Sequence, residues 1–230
     1  MQDQHRSQRI SVADAAARIG LDPSRVRALA KSGQLPAEKI ANRWLIDAGS
    51  LDRRIGRSQV GGRPFEPRKA WALLFLFSSE DATWLSIVDR SKLRAVVRDR
   101  EFESVSPRLG RRAEVRFFAG GERARNDIVR ASDFVRSGLS AAEHYGASLR
   151  SGIVVDGYLP RGSADRLIYR HALREVDERG AEIVLRLADF WPLGGRNVAP
   201  KAAVVADLLD SHDERTARAG RELGRRLRAR

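Results

Sequence analysis

The stretch SRVRALAKSGQLP, Ser24 to Pro36, decides how the first third of the chain folds. Val26, Leu29 and Ala30 recur at the spacing of one helical face, Gly33 offers a left-handed stop, and Leu35-Pro36 cannot continue the helix. Asp22 or Ser24 can cap the start, and Pro23 suits the first turn. Immediately upstream, ISVADAAARIG (Ile10 to Gly20) spaces Val12, Ala15, Ala16 and Ile19 along a second short helix. Ser11 is its cap, with Asp14 three residues on, and Gly20 ends it. Two short helices joined by a tight turn containing glycine form a helix-turn-helix.

Downstream, QLPAEKIANRWLIDAGSLDRR has two β-like runs, Ala37 to Ile40 and Trp44 to Ile46, around Ala41-Asn42-Arg43, and then Ser50 placed to cap a further helix. The order helix, turn, helix, Gly, Leu-Pro, hairpin, capped helix resembles the MerR-like and excisionase-like winged helix-turn-helix family over Ile10 to Arg57. The resemblance implies that the second helix enters the major groove of double-stranded DNA, where Ser24, Arg25, Arg27 and Lys31 reach bases and phosphates. Lys39, Asn42 and Arg43, around the hairpin tip, would grip backbone or minor groove. Arginine can meet guanine O6 and N7 with two bonds, whereas a lysine neutralises phosphate without reading sequence. Trp44 is expected to pack under the wing.

Charge points the same way. The 230 residues carry a formal +13, and residues 1–69 hold 14 Lys/Arg against 7 Asp/Glu, so the first third supplies seven of the thirteen. Lysine accounts for only 5 of the 43 basic residues, which suggests a GC-rich genome; an excess of positive over negative charge is not explained by codon bias. A polyanionic partner follows, with nucleic acid first. The absence of cysteine removes disulfides and thiolate zinc sites, and His5, His144, His171 and His212 are too scattered for a local metal motif. The longest apolar run, Ala70 to Phe77, has eight residues, against roughly 20 for a bilayer span, and no leader precedes Ser11. The expected location is the cytoplasm, with no membrane contact.

GRSQVGGRPFEPRK, Gly56 to Lys69, is rich in glycine, proline and arginine. It divides the chain into a winged helix-turn-helix at 1–57, a linker at 58–69 and a larger domain at 70–230. In the last, AWALLFLFSSEDATWLSIV opens a core; SKLRAVVRDREF and SPRLGRRAEVRFF read as helices with basic outer faces. Ser140 is expected to cap a small-residue helix, GIVVDGYLP and AEIVLRLADF to be strands, NVAPKAAVVADLLD a buried helix, and Ser211 with Glu214 a capping box for the last helix. Helices with short strands between them give an α+β domain.

RSGLSAAEHYGASL, the strand GAEIVLRLADFWPL and the closing NVAPKAAVVADLLDSHDERTARAGRELGRRL resemble the C-terminal domain of AbiEi-type antitoxins, over Ser132 to Leu227. Pro200, Asp207, Leu208, Leu209, Asp213, Arg215 and Gly220 carry the match. The family usually has its own winged-helix head, so an excisionase-like head makes this chain a composite. The resemblance implies an autoregulatory DNA-binding antitoxin that counters a nucleotidyltransferase-like toxin encoded beside it. Because one small winged module reads few base pairs, a homodimer or cooperative binding at its own operator is expected.

GLSAA, Gly138 to Ala142, with His144 nearby, is a nucleophile-elbow look-alike, but it lacks a preceding strand and the triad's order. Asp156 has no second carboxylate two residues on, as a Mg²⁺-dependent nucleotidyltransferase would need, and Asp177-Glu178 reads as a polar turn. No catalytic residue, metal or cofactor is assigned. In the terminal RTARAGRELGRRLRAR, Arg218, Arg221, Arg225 and Arg228 share a face and Leu223 and Leu227 another, which suits a docked helix with a solvated side. An excisionase-like architectural factor and an enzyme acting through the larger domain stay as alternatives.

Overall fold

The structure is a computed structural model and describes residues 9–31, 35, 37–48, 51, 63–149, 152, 154–211 and 213–227. The chain divides into two compact units, residues 1–61 and 62–230.

In the first unit, β1 (Arg9–Ser11) leads into α1 (Val12–Ile19), followed by α2 (Pro23–Lys31) and a hairpin of β2 (Ala37–Ile40) and β3 (Arg43–Asp47). Ser11 caps α1 by accepting from the Asp14 N–H at 3.1 Å, and its hydroxyl donates to the Asp14 carboxylate at 2.7 Å. Gly20 ends α1 at φ 68°, a left-handed conformation that only glycine adopts freely. β1, which the sequence reading passed over, pairs antiparallel with β3, so the sheet runs β1-β3-β2. That pairing sets Ile10 opposite Ile46. Both pack on Val12, Ala15, Val26, Leu29, Ala30 and Leu35 in a core of the unit's own. Trp44 packs half-buried against that core. Gly33 and the expected helix cap Ser50 lie outside the described residues.

The second unit begins in what the sequence reading placed as linker: Pro67, Arg68 and Lys69 form the first turn of α3 (Pro67–Phe77). Proline at a helix start needs no N–H partner, so the same residue that reads as a breaker opens the helix. α4 (Ile87–Asp99), α5 (Phe102–Val105) and a 3₁₀ turn (Ser106–Arg112) follow. Then come β4 (Glu114–Ala119), α6 (Glu122–Arg130), β5 (Val135–Arg136), α7 (Gly138–Ala142), β6 (Val155–Pro160) and α8 (Arg161–Arg170). β7 (Arg174–Glu175), β8 (Ile183–Ala188), α9 (Lys201–Asp210) and α10 (Glu214–Arg225) complete it. The fold class is α+β. Among the described residues no helix is long and apolar enough to cross a membrane.

Five strands form one sheet in the order β5-β6-β8-β4-β7, with β6 and β8 parallel and joined through α8, and the other pairs antiparallel. Strand alternation gives the sheet two different faces. Val155 and Leu159 of β6, with Ile183, Leu185 and Leu187 of β8, pack on Ile128 of α6 and on Ala164 and Leu167 of α8. Tyr158 faces the other way, into a larger core built on α3 and α9. α3 is apolar all round and accordingly buried, from Ala70 through Phe75. Gly220 of α10 is held against α9, where an added Cβ would come 3.0 Å from Leu208 Cβ and from the Leu209 nitrogen.

Three expectations are corrected here. SPRLGRRAEVRFF is a 3₁₀ turn followed by a strand, because Glu114–Phe118 find ladder partners on β8. Ser140 does not cap α7: its hydroxyl donates to the Val154 carbonyl at 3.1 Å and accepts the Asp156 N–H at 2.8 Å, stapling the helix to β6. The cap of α10 is Asp213, which accepts from the N–H and hydroxyl of Thr216 at 2.8 and 2.7 Å, while Ser211 instead donates to Glu178 at 2.9 Å.

Candidate nucleic-acid interface

α2 presents its apolar stripe to the core and everything else to solvent. Val26, Leu29 and Ala30 are buried, and Ser24, Arg25, Arg27, Ala28 and Lys31 are exposed. At about 100° per residue, Ser24, Ala28 and Lys31 form the centre of the outer face, and Arg25 and Arg27 flank it on opposite shoulders, about 160° apart. A helix lying outward-face-down in a groove therefore puts Ser24, Ala28 and Lys31 over the floor and one arginine towards each wall. Sequence reasoning missed Ala28. Its signal was the i, i+4, i+7 spacing with Ser24 and Lys31, and its methyl is small enough for close approach to a base edge or a thymine methyl.

The start of α2 is fixed by Asp22, whose carboxylate accepts the Ser24 N–H at 2.7 Å. Bonding from the Ser24 hydroxyl and N–H, helped by the nearby Arg27 charge, holds the Asp22 carboxyl below its ordinary value. At the other end, the Leu35 N–H returns to the Leu29 carbonyl at 3.1 Å.

The wing follows. Ile40 pairs with Arg43, so the turn has two central residues, Ala41 at φ 43° and Asn42 at φ 68°. Positive φ at both is what a two-residue hairpin turn needs to match the twist of its strands. The register separates the expected contact residues. Lys39 lies opposite Trp44, on the face turned to the core, whereas Ile40 and Arg43 share the outer face. On that outer face an ion pair between Arg9 and Glu38 arches over β3. Lys39, Asn42 and Arg43 are all exposed.

The larger unit holds a second conspicuous constellation, wholly internal. Between the sheet and α9, the Asp207 carboxylate accepts from Arg112 Nη2 at 2.6 Å and the Tyr158 hydroxyl at 2.7 Å. It also accepts from the Ser137 hydroxyl, and Arg186 Nη1 lies 3.1 Å away. Arg112 reaches Asp210 at 2.7 Å as well, and Arg186 spans both oxygens of Asp156 at 2.9 and 3.2 Å. Burial pushes the Asp156 carboxyl up, against the pull of Arg186, and pushes the Tyr158 phenol up too. For Arg186 burial favours the neutral form, but the Asp156 and Asp207 charges outweigh it and keep the guanidinium charged. Arg112, expected on a basic outer face, is 3% exposed. This is a salt-bridged strut between layers, with its acids and bases committed to one another.

Contrary to expectation a short strand, β5, does precede GLSAA, but the side chains of the look-alike are already engaged. Ser140 is occupied by the β6 backbone, and His144 stacks edge-on against Tyr145 with ring centroids 4.8 Å apart. On α10, Arg218 pairs with Glu222 at 3.2 Å and Arg221 pairs with Glu214, while Leu223 is buried. Arg228 lies outside the described residues. Among the described residues no group of three His, Asp or Glu side chains is placed to hold a metal ion.

Comparison with known families matches residues 10–58 to a helix-turn-helix domain. Residues 104–223, more than half of the chain, match a family described as transcriptional regulator, AbiEi antitoxin, type IV toxin–antitoxin system. That match starts ahead of Ser132, where the sequence resemblance begins, and so takes in β4 and the buried Arg112. No curated protein and no solved structure matches the chain.

Proposed function

The chain belongs to the AbiEi antitoxin family, transcriptional regulators of type IV toxin–antitoxin systems, and from that premise we propose that it represses its own operon and counters a nucleotidyltransferase-like toxin encoded beside it. DNA binding goes with the helix-turn-helix domain. The observation that carries the finer reading is the outer face of α2: a capped helix whose apolar side is fully used and whose other side sets Ser24, Ala28 and Lys31 between two arginines. Ser24 and Ala28 then lie close over the floor of the major groove with Lys31 beside them, Arg25 reaches from its shoulder to a guanine edge, Arg27 reaches to the opposite side, and Lys39, Asn42 and Arg43 hold the duplex through the wing. Two copies, as a homodimer or bound cooperatively to repeated half-sites, supply the length of sequence that one module cannot read.

The test is binding to the DNA upstream of its own gene against random duplex, over a salt series. Specific binding with log affinity falling linearly in log salt is expected. Arg25→Ala should relax base preference, whereas Arg43→Ala should weaken all sequences alike and lower the salt slope by about one. Equal affinity for operator and random DNA would overturn the regulator reading. In cells, co-expression should relieve the growth arrest caused by the neighbouring gene product, and failure to do so would overturn the antitoxin reading.

A further inference from the structure

The tip of the wing is apolar where a phosphate grip alone would call for charge. Ile40, the last residue of β2, is 43% exposed. Beside it Ala41 sits at φ 43°, in the left-handed region that glycine enters freely and alanine only at a cost. Next comes Asn42, also left-handed, whose amide can donate. Two cations frame this edge from opposite faces of the hairpin, Lys39 on one and Arg43 on the other. Among the described residues neither has an ion-pair partner.

A thin edge with methyl groups at its rim and one cation on each face has the shape of the DNA minor groove. That groove is about 6 Å wide, too narrow for a helix, and is walled by phosphates on both sides. Its floor has a simple chemistry. A·T pairs present only the acceptors N3 and O2, whereas G·C adds the guanine 2-amino group. Methyl groups lie against an A·T floor without loss, and the Asn42 amide can donate to its acceptors. Against G·C the amino group is pressed on the carbons of Ile40 and Ala41, which strip it of water and offer it no acceptor.

We propose that Ile40, Ala41 and Asn42 read A·T pairs in the minor groove beside the segment under α2, by excluding the guanine 2-amino group, while Lys39 and Arg43 hold the two walls. The proposal rests on the DNA-binding reading above and adds a second, independent element of sequence selection to it.

The test uses the full chain and a duplex selected with it from a random-sequence library. Pairs about half a helical turn from the consensus core are changed from A·T to G·C, to inosine·C, and to 2,6-diaminopurine·T. Inosine keeps guanine's major-groove face but lacks the 2-amino group, and diaminopurine adds that group to adenine. G·C and diaminopurine·T should each weaken binding about fivefold or more, with inosine·C close to A·T. In Ile40→Ser/Ala41→Gly the four duplexes should draw within about twofold of one another, whereas Lys31→Ala should lower affinity and keep the spread. Glycine suits the turn, so this variant keeps its hairpin. Inosine·C behaving as G·C, or a spread that survives in the double variant, overturns minor-groove reading and leaves the regulator reading standing. A library that yields no preferred sequence overturns both.

Discussion

Replacing Asp207 with alanine should remove a large share of the larger unit's stability. Asp207 has 0% of its side chain exposed and serves two guanidiniums, a phenol and a hydroxyl at once. Its removal leaves Arg112 and Arg186, exposed by 3% and 5%, sharing Asp156 and the partly exposed Asp210. Breaking a buried ion pair from one side costs about 3–5 kcal/mol, because the remaining charge stays desolvated. The Tyr158 and Ser137 hydroxyls lose an acceptor, at about 1–3 kcal/mol each when nothing replaces it. Water entering the vacated space offsets part of this, so the expected loss is on the order of 4–6 kcal/mol against the roughly 5–15 typical of a whole domain. The assay is urea unfolding followed by tryptophan fluorescence, which has a reporter on the spot: the Trp71 ring packs against Tyr158 with centroids 4.9 Å apart. With a slope of about 2 kcal/mol per molar urea, the midpoint should fall by about 2–3 M. A loss below about 1 kcal/mol, the level of an exposed ion pair, would refute the buried-strut account.

Two further outcomes are expected. Gly138→Ala should destabilise by more than about 3 kcal/mol, read as a drop in melting temperature, because Gly138 sits at φ +44° and an added Cβ would land 1.9 Å from Asp156 Oδ2; wild-type melting would mean that α7 is not held there. Asp22 governs an acid-side dependence: its folded-state carboxyl lies below its ordinary 3.8, so its contribution is complete above that value and lost as pH falls through the lowered one. The melting difference between wild type and Asp22→Ala should therefore hold constant at neutral pH and close in acid, and a gap of the same size at neutral and acid pH would contradict the cap.

The first unit was legible because its signals are local. Ser11, Gly20, Val26 and the Ala41-Asn42 turn each act within a few residues, so the helices and hairpin follow from neighbours in the chain. β1 escaped because three residues carry no periodicity and become a strand only against β3. In the larger unit the misses share one cause, partners far away in sequence. Arg112 looked like one more surface arginine until Asp207, 95 residues on, closed over it. Glu114–Ala119 reads as a helix when adjacent Phe117 and Phe118 break the alternation, and as a strand only when β8 is placed beside it. Ser140 offered itself as a cap, and the backbone of β6 claimed it first.

The Asp207 strut bears on the life of the nascent chain. Its members arrive in the order Arg112, Ser137, Asp156, Tyr158, Arg186 and Asp207. Arg112 waits 95 residues for the carboxylate that makes burying it tolerable, and Arg186 waits for it too. Layers that depend on so distant a contact close together rather than in stages, and they close late. A ribosome must deliver the chain through α9 before this unit can shut, so a message interrupted ahead of Asp207 leaves open, protease-accessible chain in place of a smaller folded protein.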